Sequence, residues 1–144
     1  MSEHPAPDPT DRHGYPVICR ERVRFQDIDR YGHINNVAYG VYAETARIEW
    51  LETLAPGSCD GRGEGWLIVR FAVDYRAQGD GPGHIDVGTR VLRIGTKSVT
   101  LGHGMFQGDR CLATAEAVIV WADPAAEKAL PLPDAMRPVL ETYC

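Results

Sequence analysis

No apolar run in this 144-residue chain is longer than a few positions, Ala117 to Ala122 being representative, so no segment can span a bilayer as a helix. The start, Met1 to Asp11, lacks the basic-then-apolar layout of a secretory signal, which makes the cytoplasm the expected compartment and a membrane association unexpected. The four cysteines, Cys19, Cys59, Cys111 and Cys144, form no C-x-x-C pair, and the five histidines are equally scattered. Neither a zinc site nor any other metal site is therefore expected, and the thiols are expected to stay reduced. Positive charge is also in deficit. Fifteen Lys and Arg face twenty Asp and Glu, a net charge of -5, which speaks against a nucleic-acid partner because phosphate contacts need a basic face. No G-x-x-x-x-G-K-[ST] phosphate loop and no internal repeat occurs.

What is present is the balance of an ordinary globular chain, with 44% hydrophobic and 24% charged residues. The length suits one domain with one sizeable core. Residues 1–14, rich in Pro, Asp and other polar groups, are expected to be a flexible tail, leaving 15–144 as a single domain.

Periodicity then sets the elements. From Val17 to Gln26, Val17, Cys19, Val23 and Phe25 alternate with Ile18, Arg20, Arg22 and Arg24, with Glu21 breaking the apolar face; that predicts a half-buried strand. Asn36 to about Leu54 reads as a helix capped by Asn35 or Asn36 and stopped before Pro56-Gly57. Its residues Val37, Val41, Ile48 and Leu51 form one apolar stripe, and Tyr39, Tyr42, Ala46, Trp50 and Leu54 cover much of the opposite side. A helix apolar on two sides is expected to be wrapped by other structure. Four further strands follow at Trp66 to Ala77, around His84 to Ile94, Ser98 to Gln107 and Arg110 to Ala122, separated by short Gly-rich turns, and a short helix is expected from Pro133 to about Thr142. The layout is α+β: a curved antiparallel sheet of about five strands around one long central helix, with edge strands that invite a second copy.

The densest polar stretch runs from Phe25 to Tyr39 and joins the first strand to the helix start. Carboxylates, an imidazole and amides there sit beside a helix N-terminus, whose free N–H groups favour developing negative charge. Such a place can stabilise an oxyanion on a carbonyl while a carboxylate attacks that carbonyl or deprotonates a water.

The elements Asp27-x-Asp29, Gly32-His33-Ile34-Asn35-Asn36, Tyr39 and Glu44-x-x-Arg47 resemble the signature of hot-dog-fold thioesterases, the group of 4-hydroxybenzoyl-CoA thioesterase and related acyl-CoA and acyl-carrier-protein thioesterases. The likeness runs from about Val23 to Asp123 and includes Val73-Asp74-Tyr75. It implies the hot-dog fold, an acyl-CoA or acyl-carrier-protein substrate, no cofactor beyond the CoA of the substrate, and a homodimer or homotetramer. By motif the catalytic carboxylate is Asp29, as nucleophile or as general base. The backbone N–H of Asn36 matches the oxyanion donor, with His33 and Asn35 as helpers that orient substrate or water. Aromatic residues replace Asn35 and Asn36 in 4-hydroxybenzoyl-CoA thioesterase itself, so its acyl specificity does not carry over. Tyr39 is expected on the substrate, and Arg70, Arg76 and Lys97, with Arg90 and Arg93, are basic groups that could meet CoA phosphates, although each taken alone reads as a solvated strand or turn residue. Asp27 reads as structural, and Glu44 is expected to pair with Arg47.

Two other classes compete with this reading. A hot-dog 3-hydroxyacyl thioester dehydratase or hydratase carries Asp-x-Asn-Pro-x-His, which Asp29-Arg30-Tyr31-Gly32-His33 does not match. A non-catalytic acyl-thioester-binding protein would bind ligand without releasing thiol.

Overall fold

The structure, a computed structural model, describes residues 7–144. Its elements are β1 (Val17–Val23), α1 (Asn36–Leu54), β2 (Gly65–Tyr75), β3 (Gly83–Ile94), β4 (Ser98–Gln107), β5 (Arg110–Asp123), β6 (Lys128–Ala129) and α2 (Met136–Glu141). All pairings are antiparallel, in the order β1-β3-β4-β5-β2, with β6 added to the end of β5. The curled sheet carries α1 on one face, the sheet-and-helix layout expected from periodicity and the hot-dog fold that the resemblance implies.

Local chemistry explains the joints. Gly108, at φ +61°, makes the two-residue turn between Gln107 and Arg110, a conformation a Cβ disfavours. Helix α1 ends at Leu54 ahead of Pro56-Gly57. The Glu52 carboxylate then accepts from the N–H groups of Gly57 and Cys59, both at 2.8 Å, and ties down the chain that leaves the helix. Two clusters divide the core. Tyr39, Tyr42, Ala43 and Ala46 pack with Ile85, Val87, Met105 and Leu112 near the helix start. Trp50 and Leu51 pack with Val91, Leu101, Ile119 and Leu140 near its end. Burial of a single side chain of this size contributes about 1.5–3 kcal/mol.

Four expectations are corrected. Strand β1 stops at Val23, and Phe25 sits in a short 3-10 turn, 98% exposed rather than on the apolar face, because the chain must bend there to reach the helix. Helix α1 is covered on one side only: Val37, Val41 and Ile48 remain exposed at 71, 45 and 40%, while Leu51 is buried. A bulge between Ile68 and Arg70 shifts the alternation of β2, leaving Leu67, Ile68 and Val69 exposed together. Glu44 is exposed and makes no ion pair among the described residues, whereas Arg47 is buried with its guanidinium over the Phe71 ring.

Of the stretch expected as a tail, residues 1–6 lie outside the described residues. Residues 7–14 run against the sheet: Arg12 pairs with Asp86 at 2.8 Å, and the Tyr15 hydroxyl donates to the Pro9 carbonyl at 2.6 Å. No described helix is long and apolar enough to cross a membrane. The four cysteines are free thiols.

Candidate active site

Chain geometry between β1 and α1 is held by backbone bonds before any side chain is considered. The Asp29 N–H donates to the His33 carbonyl at 2.9 Å, the Gly32 N–H to the Asp29 carbonyl at 3.0 Å, and the Ile34 N–H to the Gly79 carbonyl at 2.9 Å. Gly32 adopts φ +79° within this tight loop. The last bond ties the loop to the segment after β2 and thereby draws the end of β2 to the helix start.

Asp27 is structural, as the sequence suggested. Its Oδ2 accepts from the Arg24 N–H at 2.8 Å and from the buried Tyr42 hydroxyl at 2.6 Å. Burial first, and then this bond, push the Tyr42 phenol up from its ordinary value. Asp29 is half-buried, and its Oδ1 accepts from the Tyr31 N–H at 2.9 Å. Among the described residues no group donates to Oδ2, so one carboxylate oxygen is available to a substrate or a water.

Helix α1 begins beside it. The Asn35 side chain accepts from the Val37 N–H at 3.1 Å and is the N-cap. Asn36 is the first helical residue, and its N–H has no partner among the described residues, as the first N–H groups of a helix generally do not. Asp29, Tyr31, His33, Asn36, Tyr39 and Tyr75 line one open cleft of about 200 Å³. The His33 imidazole lies 3.4 Å from the Asp80 carboxylate through Nδ1. Tyr39 is buried, which raises its phenol pKa, and its ring meets Tyr75 edge to face at 5.6 Å.

The fold therefore brings Asp29, His33, Asn36 and Tyr39 to one cleft, with Asn35 directly behind as the cap. It does not bring Arg70, Arg76 and Lys97 there. Arg70 and Arg76 line a separate cavity on the other face of the sheet, and Lys97 is exposed in the β3–β4 turn. Arg90 lines that second cavity too and is buried, not solvated. Arg93 is exposed on β3. Sequence reasoning missed Tyr75, Gln78 and Asp80. The Tyr75 hydroxyl donates to the Asn36 carbonyl at 3.0 Å, Gln78 lines the cleft, and Asp80 faces His33. The family likeness includes Val73-Asp74-Tyr75 but gives it no site role, and these residues join the site through contacts distant in the chain. Among the described residues no group of three or more His, Cys, Asp or Glu side chains is placed to hold a metal ion.

Residues 23–140 match the model of a family described as the thioesterase-like superfamily. A protein of Pseudomonas aeruginosa strain PAO1 is similar in structure, with TM-score 0.84 and 29% identity over 92% of this chain and 94% of its own. A thioesterase of Thermus thermophilus, solved with coenzyme A and Zn, has TM-score 0.79 and 29% identity over 90% of this chain and 94% of its own. A gentisyl-coenzyme A thioesterase shares the fold, with TM-score 0.77 and 22% identity over 86% of this chain and 99% of its own. No curated protein matches the sequence.

Proposed function

The chain belongs to the thioesterase-like superfamily, and from that footing we propose that it hydrolyses acyl-CoA thioesters in the cleft at the start of α1. The observation that carries the reading is one juxtaposition. Asp29, whose Oδ2 accepts from no group among the described residues, and Asn36, whose N–H has no partner among them, line the same cleft. A thioester carbonyl set between them meets a base or nucleophile on one side and an oxyanion donor on the other. The coenzyme A bound by the Thermus relative supports CoA over a carrier protein as the thiol carrier.

Two routes use the same atoms. In one, Asp29 attacks the carbonyl carbon, the C–S bond breaks with its electron pair leaving on the CoA sulfur, and water then hydrolyses the resulting anhydride. In the other, Asp29 takes a proton from a water, whose oxygen adds to the carbonyl before the thiolate departs. Rapid quenching followed by mass spectrometry separates them, since only the first leaves an acyl group on Asp29. His33, whose Nδ1 faces Asp80, and the Asn35 cap hold the water and the helix start in place. The Tyr31, Tyr39 and Tyr75 rings offer the acyl group an aromatic surface.

A second copy completes the assembly in this reading. Val37, Val41 and Ile48 on α1 and Leu67, Ile68 and Val69 on β2, the strand at one end of the sheet, are apolar groups left exposed by the described residues. The proposal is a homodimer built on these surfaces, two of which can join as a homotetramer. It acts in the cytoplasm.

The test is thiol release from a panel of aliphatic and aromatic acyl-CoAs. Wild-type protein is expected to release CoA, and Asp29→Asn to lose about 10²–10⁴-fold in rate with its fold intact. Hydration of crotonyl-CoA without thiol release would overturn the reading in favour of a hydratase. Tight acyl-CoA binding with no thiol release from any substrate would leave only a binding protein.

A further inference from the structure

A second cavity, of about 550 Å³, lies on the face of the sheet away from α1. Strand alternation puts it there. Phe71 and Val73 pack toward the helix core, so Arg70, Ala72, Asp74 and Arg76 project to the opposite side. Gly102, paired with Glu116 of β5, keeps the floor low, and a Cβ there would already come within 3.2 Å of Leu92. Leu92 and the Tyr15 ring supply an apolar wall.

The buried Arg90 of this cavity has no carboxylate partner among the described residues. Arg90 is 5% exposed, and its guanidinium sits 4.9 Å from the Tyr15 ring centre. Its one acceptor is a neutral group, the Pro7 carbonyl, 2.9 Å from Nη2; Nε and Nη1 are buried without partners among the described residues. Arg76 donates from Nε to the Thr114 hydroxyl at 2.9 Å, another neutral acceptor. Among the described residues no carboxylate bonds to Arg90. Asp86 is held by Arg12 and Arg20, Glu116 lies 3.7 Å from Arg70, and Asp8, exposed and bonded to Thr10, acts on Arg76 and Arg90 only through space. Asp74 is the one carboxylate of the lining without an ion pair among the described residues. A buried guanidinium with no carboxylate partner is costly, and a carboxylate acceptor makes a hydrogen bond about twice as strong as a neutral one.

We propose that this cavity is a second binding site, for a small organic carboxylate, with its carboxylate on the guanidinium groups of Arg90 and Arg76 and its apolar body against Tyr15 and Leu92. Asp74 and Asp8 offset the positive charge of Arg76 and Arg90, so the cavity offers donors unpaired among the described residues to a single carboxylate, with no excess charge for a polyphosphate. The volume and the apolar wall favour an organic body over an inorganic ion. The site does not depend on the proposed hydrolase activity.

The test is a two-dimensional amide NMR titration of the full chain with hexanoate and benzoate, and separately with inorganic phosphate and coenzyme A. The carboxylates are expected to shift the amides of Arg90, Gly102 and Thr114 saturably. Arg90→Lys and Arg76→Gln are each expected to weaken that binding by about tenfold or more. Arg76 is exposed, so its variant carries the test even if Arg90→Lys fails to fold. Four results overturn the proposal: no saturable shift in wild-type protein, shifts confined to His33 and Asn36, displacement of carboxylate by equal or lower concentrations of phosphate or coenzyme A, or unchanged affinity in a folded Arg76→Gln variant.

Discussion

Asp27 and Asp29 are two positions apart, yet their surroundings give them different work. Asp27 has an oxygen held by the Arg24 N–H and the Tyr42 hydroxyl, whereas Oδ2 of Asp29 accepts from no group among the described residues. Tyr42→Phe is therefore expected to destabilise the fold by about 1.5–3 kcal/mol, the range for a hydrogen bond to a charged group, measured by urea unfolding. Its effect on thiol release should be far smaller than that of Asp29→Asn. His103 makes a pH prediction. It is fully buried against Thr89, with Nδ1 and Oγ1 3.0 Å apart, and burial, with Arg47 nearby, lowers its pKa to about 3. Unfolded, it titrates near the ordinary value of about 6.5. Below that pH the unfolded chain takes up a proton that the folded chain does not, so stability is complete above about 6.5 and is lost as pH falls toward 3. Between pH 7.5 and 5 the loss should approach about 2 kcal/mol, and His103→Asn should flatten this part of the urea-midpoint profile.

At the scale of elements, α1 both anchors the core and presents the site. Its boundaries were legible because the 3.6-residue period, the Asn cap and Pro56-Gly57 are all local signals. The strands were equally legible from alternation and turn residues, apart from the two-residue β6, which has too short a pattern to be seen. Alternation failed at β2, where the bulge after Ile68 turns three apolar residues to solvent. Asn35→Ala should cost about 0.5–2 kcal/mol through the lost cap. Because the same turn carries the Asn36 N–H, this variant should also slow thiol release in the folded protein, a joint loss in thermal midpoint and rate that an exposed substitution such as Arg93→Ala would not cause.

For the whole molecule, the described residues leave one side of the central helix exposed and the outer edge of β2 unpaired. Light scattering is expected to give at least a dimer mass at micromolar concentration, and Val41→Asp, which puts a charge on the exposed stripe, to shift it toward monomer. A wild-type monomer that turns over acyl-CoA would remove the dimer from the proposal and leave the hydrolase reading in place.

The order of strands and helix, the loop rich in site residues and the position of Asp29 beside a helix start were all written in the sequence. They depend on near neighbours, on period, caps and turns that act over a few residues. Other features were decided by the tertiary structure alone. Tyr75 reaches the Asn36 carbonyl across 39 positions, and Asp80 meets His33 across 47. Arg47 is buried under Phe71 rather than paired with Glu44, and Arg76 and Arg90 share a cavity away from the cleft. The reason is physical: which face of a strand or helix is covered depends on the element that folds over it, and that element lies elsewhere in the chain.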